Sequence, residues 1–270
     1  MSTAPNVVLV IPCYNEARRI DLHAFKRALD AFPWLQLLFV DDGSTDETKA
    51  LLERFSNAQP RARVLVLPTN KGKGEAVRLG LLEGANNSDI CGFWDADLAA
   101  PLSELPQLLQ VLTSTDGIEW VWGIRLRALG RTIERGYVRH YLGRLFATTS
   151  SLALGISAYD TQCGAKLFRS NDLLRAVISE PFTSSWLFDV EMLTRALDLR
   201  PNLMKSSMNT MIYEQPLQHW SHKDGSKVRA TDFVAALLQL IAIKSRRAGT
   251  AVTINVNYAA SIERPLSDEQ

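Results

Sequence analysis

Short apolar runs alternate with amphipathic stretches through the first half of the chain. "VVLVI" (Val7 to Ile11) is β-branched and uninterrupted, the pattern of a strand buried on both faces. From Glu16 to Phe32, Ile20, Phe25, Leu29 and Phe32 recur at roughly helical spacing, which predicts a helix. "LQLLFV" (Leu35 to Val40) reads as a second strand. "DDGSTDET" follows, with Ser44, Thr45 or Asp46 as helix N-cap candidates before "KALLERF". "VLVL" (Val64 to Leu67) is a third strand and Lys73 to Ala85 a helix. "ICGFW" (Ile90 to Trp94) is a fourth strand, Leu102 to Leu112 a helix, and "EWVWGI" (Glu119 to Ile124) a fifth strand. Strands and helices in alternation, with short connections, predict a mostly parallel central sheet flanked by helices on both faces.

The second half carries a different pattern. Arg125 to Arg144 holds six arginines, broken by Gly130, Gly136 and Gly143. "YLGRLFATTSSLALGI" is an apolar helix candidate, and "DTQCGAKLFRS" (Asp160 to Ser170) a loop entering a short strand. "WLFDVEMLTRAL" (Trp186 to Leu197) is amphipathic, "HWSHKDGSKV" (His219 to Val228) a polar loop, and Thr231 to Arg247 a strongly apolar helix with a basic end. The alternating "VTINVNY" suggests an edge strand within a polar tail. No repeat or low-complexity linker interrupts this. One domain over residues 1–248 with a tail at 249–270 is the simplest division, the pattern changing near residue 124.

Composition narrows the classes. With 46% hydrophobic and 22% charged residues the chain is an ordinary globular one, not a disordered one. A net charge of +1 gives no global basic field, so broad nucleic-acid binding is not expected. Cys13, Cys91 and Cys163 are odd in number, far apart and without a C-x-x-C pair, which favours a reducing, cytoplasmic setting over a disulfide framework. His219 and His222 lack the companions of a zinc site. The N-terminus lacks the basic and apolar regions of a signal peptide, and no window reaches the ~18 apolar residues of a bilayer-spanning helix.

Candidate chemistry sits at strand ends. "VDD" (Val40 to Asp42) and "WDAD" (Trp94 to Asp97) both close apolar runs, and in open α/β sheets ligands lie beyond the carboxyl ends of the strands. Two aspartates at i, i+2 on a tight turn can offer oxygens to one hard cation, such as Mg²⁺ with diphosphate oxygens. By itself D-x-D is equally a loop with helix-capping acids.

Its company decides. "VVLVIPCYNE", "VDDGSTDET", "NKGKGEAVRLG" and "FWDADL" occur in this order. Together they resemble the family 2 glycosyltransferases, whose fold is the GT-A nucleotide-diphospho-sugar transferase fold. "DTQCGAKLF", "FDVEML" and W-x4-GSK (Trp220 to Lys227) resemble dolichyl-phosphate glucosyltransferases and related polyprenyl-phosphate sugar synthases. The resemblance spans Val7 to Arg247 and implies a donor-binding part to about residue 124 and an acceptor-binding part over 125–248. It implies that Pro12, Tyr14 and Glu16 border the nucleoside, that Asp42 accepts from the base with Asp41 in support, and that Lys73 and Gly74 lie against the nucleotide. It implies that Asp95, Ala96 and Asp97 hold ribose, metal and diphosphate, with Asp95 and Asp97 as metal ligands. Arg125 and Arg139 would grip an acceptor phosphate and Lys227 would close on the diphosphate.

The reaction so implied is inverting, Mg²⁺- or Mn²⁺-dependent transfer of a hexose, with UDP-glucose the leading donor and GDP-mannose the nearest alternative. A polyprenyl or dolichyl phosphate acceptor needs no general base, being largely dianionic at neutral pH. A sugar-hydroxyl acceptor would need one, and Asp189, with Glu191 beside it, would then serve. In the phosphate reading Asp189 orients the donor sugar or the arginines. A catalytically silent nucleotide-sugar-binding subunit is the alternative from another class. A lipid acceptor implies peripheral contact with the cytosolic membrane face, through Tyr137 to Ile156 or Phe233 to Ile243, and leaves room for a homo-oligomer or a membrane-anchoring partner.

Overall fold

The computed structural model describes residues 5–134, 158–185, 187–199 and 211–221. Arg139, Lys227, the two apolar segments assigned to the membrane surface and the tail lie outside the described residues.

The first half follows its hydrophobic pattern. Strand β1 is Val7–Cys13, followed by α1 (Leu22–Ala31), β2 (Leu35–Asp41), α2 (Thr48–Ala58), β3 (Ala62–Val66), α3 (Lys73–Ala85) and β4 (Ile90–Trp94). A 3-10 turn at Leu102–Glu104 leads into α4 (Leu105–Ser114) and β5 (Trp120–Ile124). Then come β6 (Thr132–Glu134), β7 (Ala165–Arg169), α5 (Asp172–Ile178), α6 (Phe188–Leu199), β8 (Ile212–Pro216) and β9 (His219–Ser221).

Seven strands form one sheet in the order β3-β2-β1-β4-β7-β5-β8, and β6 pairs with β9 in a small second sheet. β1, β2, β3 and β4 run parallel, as do β5 and β8, while β7 lies antiparallel between β4 and β5. The chain turns from β1 toward β2 on one side, and β4 is added on the other. That is the switch point, and open α/β sheets place their ligands beyond the carboxyl ends of the strands there.

Side-chain alternation divides the core into two layers. Val7, Leu9 and Ile11 pack with Phe25, Leu29, Leu105 and Leu108 on one face. Val8 and Val10 pack with Val77, Leu81, Leu174 and Met192 on the other. Helices thus cover both faces, as the run-like strands require.

Several expectations shift. The helix drawn from Glu16 begins only at Leu22, because Asn15 takes a left-handed conformation (φ 52°) and the Glu16 carbonyl accepts from Arg19 and Ile20 in a separate turn. Asp21 then caps α1, its carboxylate accepting from Ala24 N–H at 3.0 Å. Before α2, Asp46 accepts from the Thr48 N–H at 2.9 Å, while Glu47 is the first-turn boundary. The segment read as a polar loop from His219 opens with a strand: Glu104 accepts from the backbone N–H of Gln218 and His219, and Ser221 N–H donates to Ala99 O at 2.9 Å. Those bonds bring Trp220 beside the turn that carries Asp97.

Candidate active site

β1 and β2 deliver their tips together. Asp42 N–H donates to Cys13 O at 2.8 Å, and Asn15 Oδ1 accepts from the Thr45 N–H at 2.9 Å, so "PCYNE" and "DDGST" form one rim. Pro12, Tyr14 and Glu16 lie on that rim, with the Glu16 N–H on Thr48 Oγ1 at 2.8 Å and its carboxylate 2.5 Å from Arg19. Asp41 and Asp42 are both buried. Asp42 accepts from the N–H groups of Lys71 (2.7 Å) and Gly72 (2.9 Å), holding the "NKGKG" loop against the rim. Burial raises its carboxyl above the usual range, and those two N–H groups pull it partly back. Asp41 Oδ1 is buried without a hydrogen-bond partner among the described residues.

The loop below opens α3. Gly74 donates to Ser185 O at 3.0 Å and its Cα lies so close to Ser184, Ser185 and Phe188 that a side chain there would press on them. Lys73 reaches across to Asp95, Nζ to Oδ1 at 2.5 Å. Burial lowers the Lys73 ammonium, but Asp95, with Asp189 and Asp97 further off, outweighs it, and the balance stands above an ordinary lysine.

The β4 turn is compact. Leu98 is left-handed (φ 51°), its N–H bonds Asp95 O at 3.1 Å, and Asp97 accepts from Ala99 N–H at 3.0 Å. Ala96 is buried between the two acids. Asp97 is held above the usual carboxyl range, first by burial and then by the Asp95 charge, against the pull of Ala99 N–H, Lys73 and Arg19. Two acids one residue apart on one turn, one of them destabilised as an anion, are an all-oxygen donor set suited to a divalent cation that takes its other ligands from phosphate and water. No cage of three or more His, Cys, Asp or Glu side chains exists among the described residues, so such an ion would depend on the substrate for further ligands.

A second loop, Asp160 to Gly164, closes on the same turn. Asp95 N–H donates to Gly164 O at 2.9 Å, and a side chain at Gly164 would run into the Asp95 carboxylate. Asp160 grips Arg125 in a two-pronged pair, Nε to Oδ2 at 2.6 Å and Nη2 to Oδ1 at 2.7 Å. Burial lowers the Arg125 guanidinium, but Asp160 more than offsets it and holds it firmly charged. That pair uses two of the five guanidinium donors. Arg125 also lies 5.5 Å from the centre of the Trp220 ring. Cys163 in this loop is buried, its thiol pushed up to about 12 chiefly by desolvation, which makes it inert.

Three further residues here carry no individual motif signal in the sequence. Asp160 holds Arg125. Glu214, on β8, accepts from the N–H groups of Tyr159 (2.8 Å) and Asp160 (3.0 Å) and so anchors the loop. Lys166, on β7, is fully buried and bonds Asp189 Oδ1 at 2.8 Å. Asp189 is itself buried, its carboxyl raised by desolvation and drawn back by Lys166. Glu191 points elsewhere, accepting from Thr183 N–H (2.8 Å) and from Arg195 Nη2 (2.8 Å).

Acidic strand tips tied to a glycine-opened loop and to an arginine-bearing wall are the arrangement of a GT-A glycosyltransferase, an enzyme class. The solved structures this chain resembles carry the same fold. Glucosyl-3-phosphoglycerate synthase from Mycobacterium tuberculosis, in complex with Mn²⁺ and UDP-glucose, superposes with a TM-score of 0.65 at 23% identity, over 92% of this chain and 81% of that one. Mannosyl-3-phosphoglycerate synthase from Rubrobacter xylanophilus gives 0.63 at 16% identity, over 94% and 78%. The family model for glycosyl transferase family 2 matches residues 8–174. The chain belongs to glycosyl transferase family 2. Among its relatives, dolichyl-phosphate beta-glucosyltransferase of Saccharomyces cerevisiae is 31% identical over 258 residues, 87% of this chain and 73% of that protein. The Drosophila melanogaster protein of the same name is 30% identical over 245 residues, 82% and 68%. The Homo sapiens one is 26% identical over 245 residues, 84% and 71%.

Proposed function

We propose that this glycosyltransferase moves a hexose, glucose from UDP-glucose, onto a polyprenyl or dolichyl phosphate with inversion at the anomeric carbon. One observation carries the reading. Asp95 is tied to Lys73 on the nucleotide side and, through Gly164, to the loop whose Asp160 holds Arg125. A single turn therefore touches both the wall suited to a diphosphate and the wall suited to an acceptor phosphate. The names of the relatives, dolichyl-phosphate beta-glucosyltransferases, support the same acceptor and sugar.

In this reading Pro12, Tyr14, Glu16, Asp41 and Asp42 frame the nucleoside. Gly74, expected to let the nucleotide approach the backbone, instead lets the Ser184–Phe188 segment close on the start of α3, and Lys73 beside it stands ready to leave Asp95 for a phosphate oxygen. Asp95 and Asp97, with Ala96 between them, hold Mg²⁺ or Mn²⁺. When bound, that ion supplies charge neutralisation for the departing diphosphate. Arg125 orients the acceptor phosphate, because Asp160 fixes its plane and leaves donors for the planar, forked contact that phosphate accepts. Arg139 and Lys227 are assigned to the acceptor phosphate and the diphosphate on the strength of the family resemblance. A phosphate acceptor arrives already ionised and needs no base. The engagement of the Asp189 carboxylate by Lys166 suits an orienting role better than proton abstraction from a hydroxyl. No helix of the described residues is long and apolar enough to cross a membrane. In this reading the lipid acceptor is met by peripheral contact at the cytosolic face.

The test is a donor-by-acceptor assay: UDP-glucose and GDP-mannose against polyprenyl phosphates and a soluble oligosaccharide, with Mg²⁺, with Mn²⁺ and with chelator. Metal-dependent glucosyl transfer to the phosphate alone is expected. Transfer only to a hydroxyl, or only from GDP-mannose, overturns the corresponding part.

A further inference from the structure

Lys166 is an unusual residue to find in a core. It has no exposed side-chain surface, and it sits on the aromatic face of the sheet, its ammonium 4.7 Å from the centre of the Trp122 ring and 5.1 Å from that of Phe93. Burying an ammonium is costly unless its hydrogen bonds and its charge are met. Here they are met threefold: Nζ donates to Thr161 O at 2.9 Å, to Cys163 O at 2.6 Å and to Asp189 Oδ1 at 2.8 Å. An ammonium has three N–H donors, and three acceptors surround it. Two belong to the loop between Asp160 and Gly164. The third belongs to the first turn of α6, which follows the Ser184–Ser185 segment packed on Gly74.

The loop and the helix hold different groups of the site. Asp160 fixes Arg125, and Gly164 carries the backbone contact to Asp95. Asp189 starts the helix whose Phe188 meets the α3 opening beside Lys73. We propose that Lys166 is a positioning residue for transfer: it pins the Asp160–Gly164 loop to Asp189 and thereby fixes the acceptor-gripping arginine relative to the donor-binding acids. The inference rests on the reading of Arg125 as the acceptor-phosphate ligand. Lys166 touches no reacting atom. It acts through the geometry of groups that do, and a misplacement of about 1 Å is enough to cost roughly a hundredfold in rate.

The experiment compares wild type, Lys166→Met and Lys166→Gln in the Mg²⁺-supplemented transfer assay, with UDP affinity measured separately by calorimetry. Wild type showing no transfer to polyprenyl phosphate refutes the functional reading itself; the comparison among active proteins tests the inference. Lys166→Met, which keeps the length and loses all three bonds, should lower kcat about a hundredfold and raise the acceptor KM, while UDP affinity stays within about threefold. Lys166→Gln, which can still donate to the loop, should fall between the two. Turnover and acceptor KM of both variants matching wild type overturns the proposal. So does a parallel loss of UDP binding and turnover that tracks the folded fraction, and so does failure of both variants to fold, since each assigns Lys166 to stability alone.

Discussion

Two lysine–aspartate pairs stand near the same crevice and differ in nearly everything but chemistry. Lys73 and Asp95 meet at 2.5 Å with side chains 42% and 31% exposed, at the mouth of the site. Lys166 and Asp189 meet at 2.8 Å with side chains 0% and 6% exposed, beneath it. Water competes for the first pair, so its partners can be exchanged at little cost, as the proposed diphosphate binding requires. Nothing competes for the second, and each charge there is stranded if the other is removed. The outer pair is fit for binding and release, the inner one for holding the walls in place.

Breaking the inner pair should have the largest effect. Lys166→Met leaves Asp189 buried without its counter-charge and should lower unfolding free energy by about 3–5 kcal/mol, read from urea denaturation. Asp97→Asn comes next. Turnover should fall roughly 10²–10³-fold, as when one preorganised electrostatic group is removed, with the fold intact by circular dichroism. Lys73→Met, which breaks the outer pair, should change stability by less than about 1 kcal/mol while weakening UDP binding in calorimetry. Equal destabilisation by Lys73→Met and Lys166→Met would erase the distinction between the pairs.

The smallest effect is a pH dependence. Asp97 has its folded-state carboxyl raised by burial and by Asp95, so the folded protein favours its protonated form. Its contribution to stability is therefore fully present below the unfolded value of about 3.9 and is lost as pH rises through the raised folded value. The stability of wild type relative to Asp97→Asn, measured in metal-free buffer, should fall as pH climbs from 4 to 7 by the sign of that shift. A difference that rises instead would place Asp97 in a cation-rich surrounding.

The two regions also differ in how far the chain announces them. β4 and α3 coincide with their apolar and helical stretches, Ile90–Trp94 and Lys73–Ala85, because parallel strands buried on both faces must be continuous apolar runs. The acids at their ends are visible for the same reason: a carboxylate directly after such a run has only the strand tip to occupy. β8 was not visible. "IYEQP" is a half-exposed strand at the sheet edge with no run and no clean alternation, and its recruitment depends on pairing with β5 far away in sequence. α5, at Asp172–Ile178, is too short to show more than one helical repeat. Lys166 was hidden by type. A lysine within "AKLFR" reads as a solvent-facing strand position, and only the insertion of β7 between β4 and β5 turns it inward. Asp160 and Glu214 were missed because their partners, Arg125 and the backbone of Tyr159, lie 35 and 55 residues away.

In the proposed function, strand tips bearing Asp42, Asp95 and Asp97 form one metal-assisted nucleotide pocket. Calorimetric titration of UDP into wild type and Asp97→Asn, each with Mn²⁺ and with chelator, tests it most directly. Mn²⁺-dependent binding to wild type that is lost in Asp97→Asn is expected; binding that is equally tight in all four titrations would refute such a pocket.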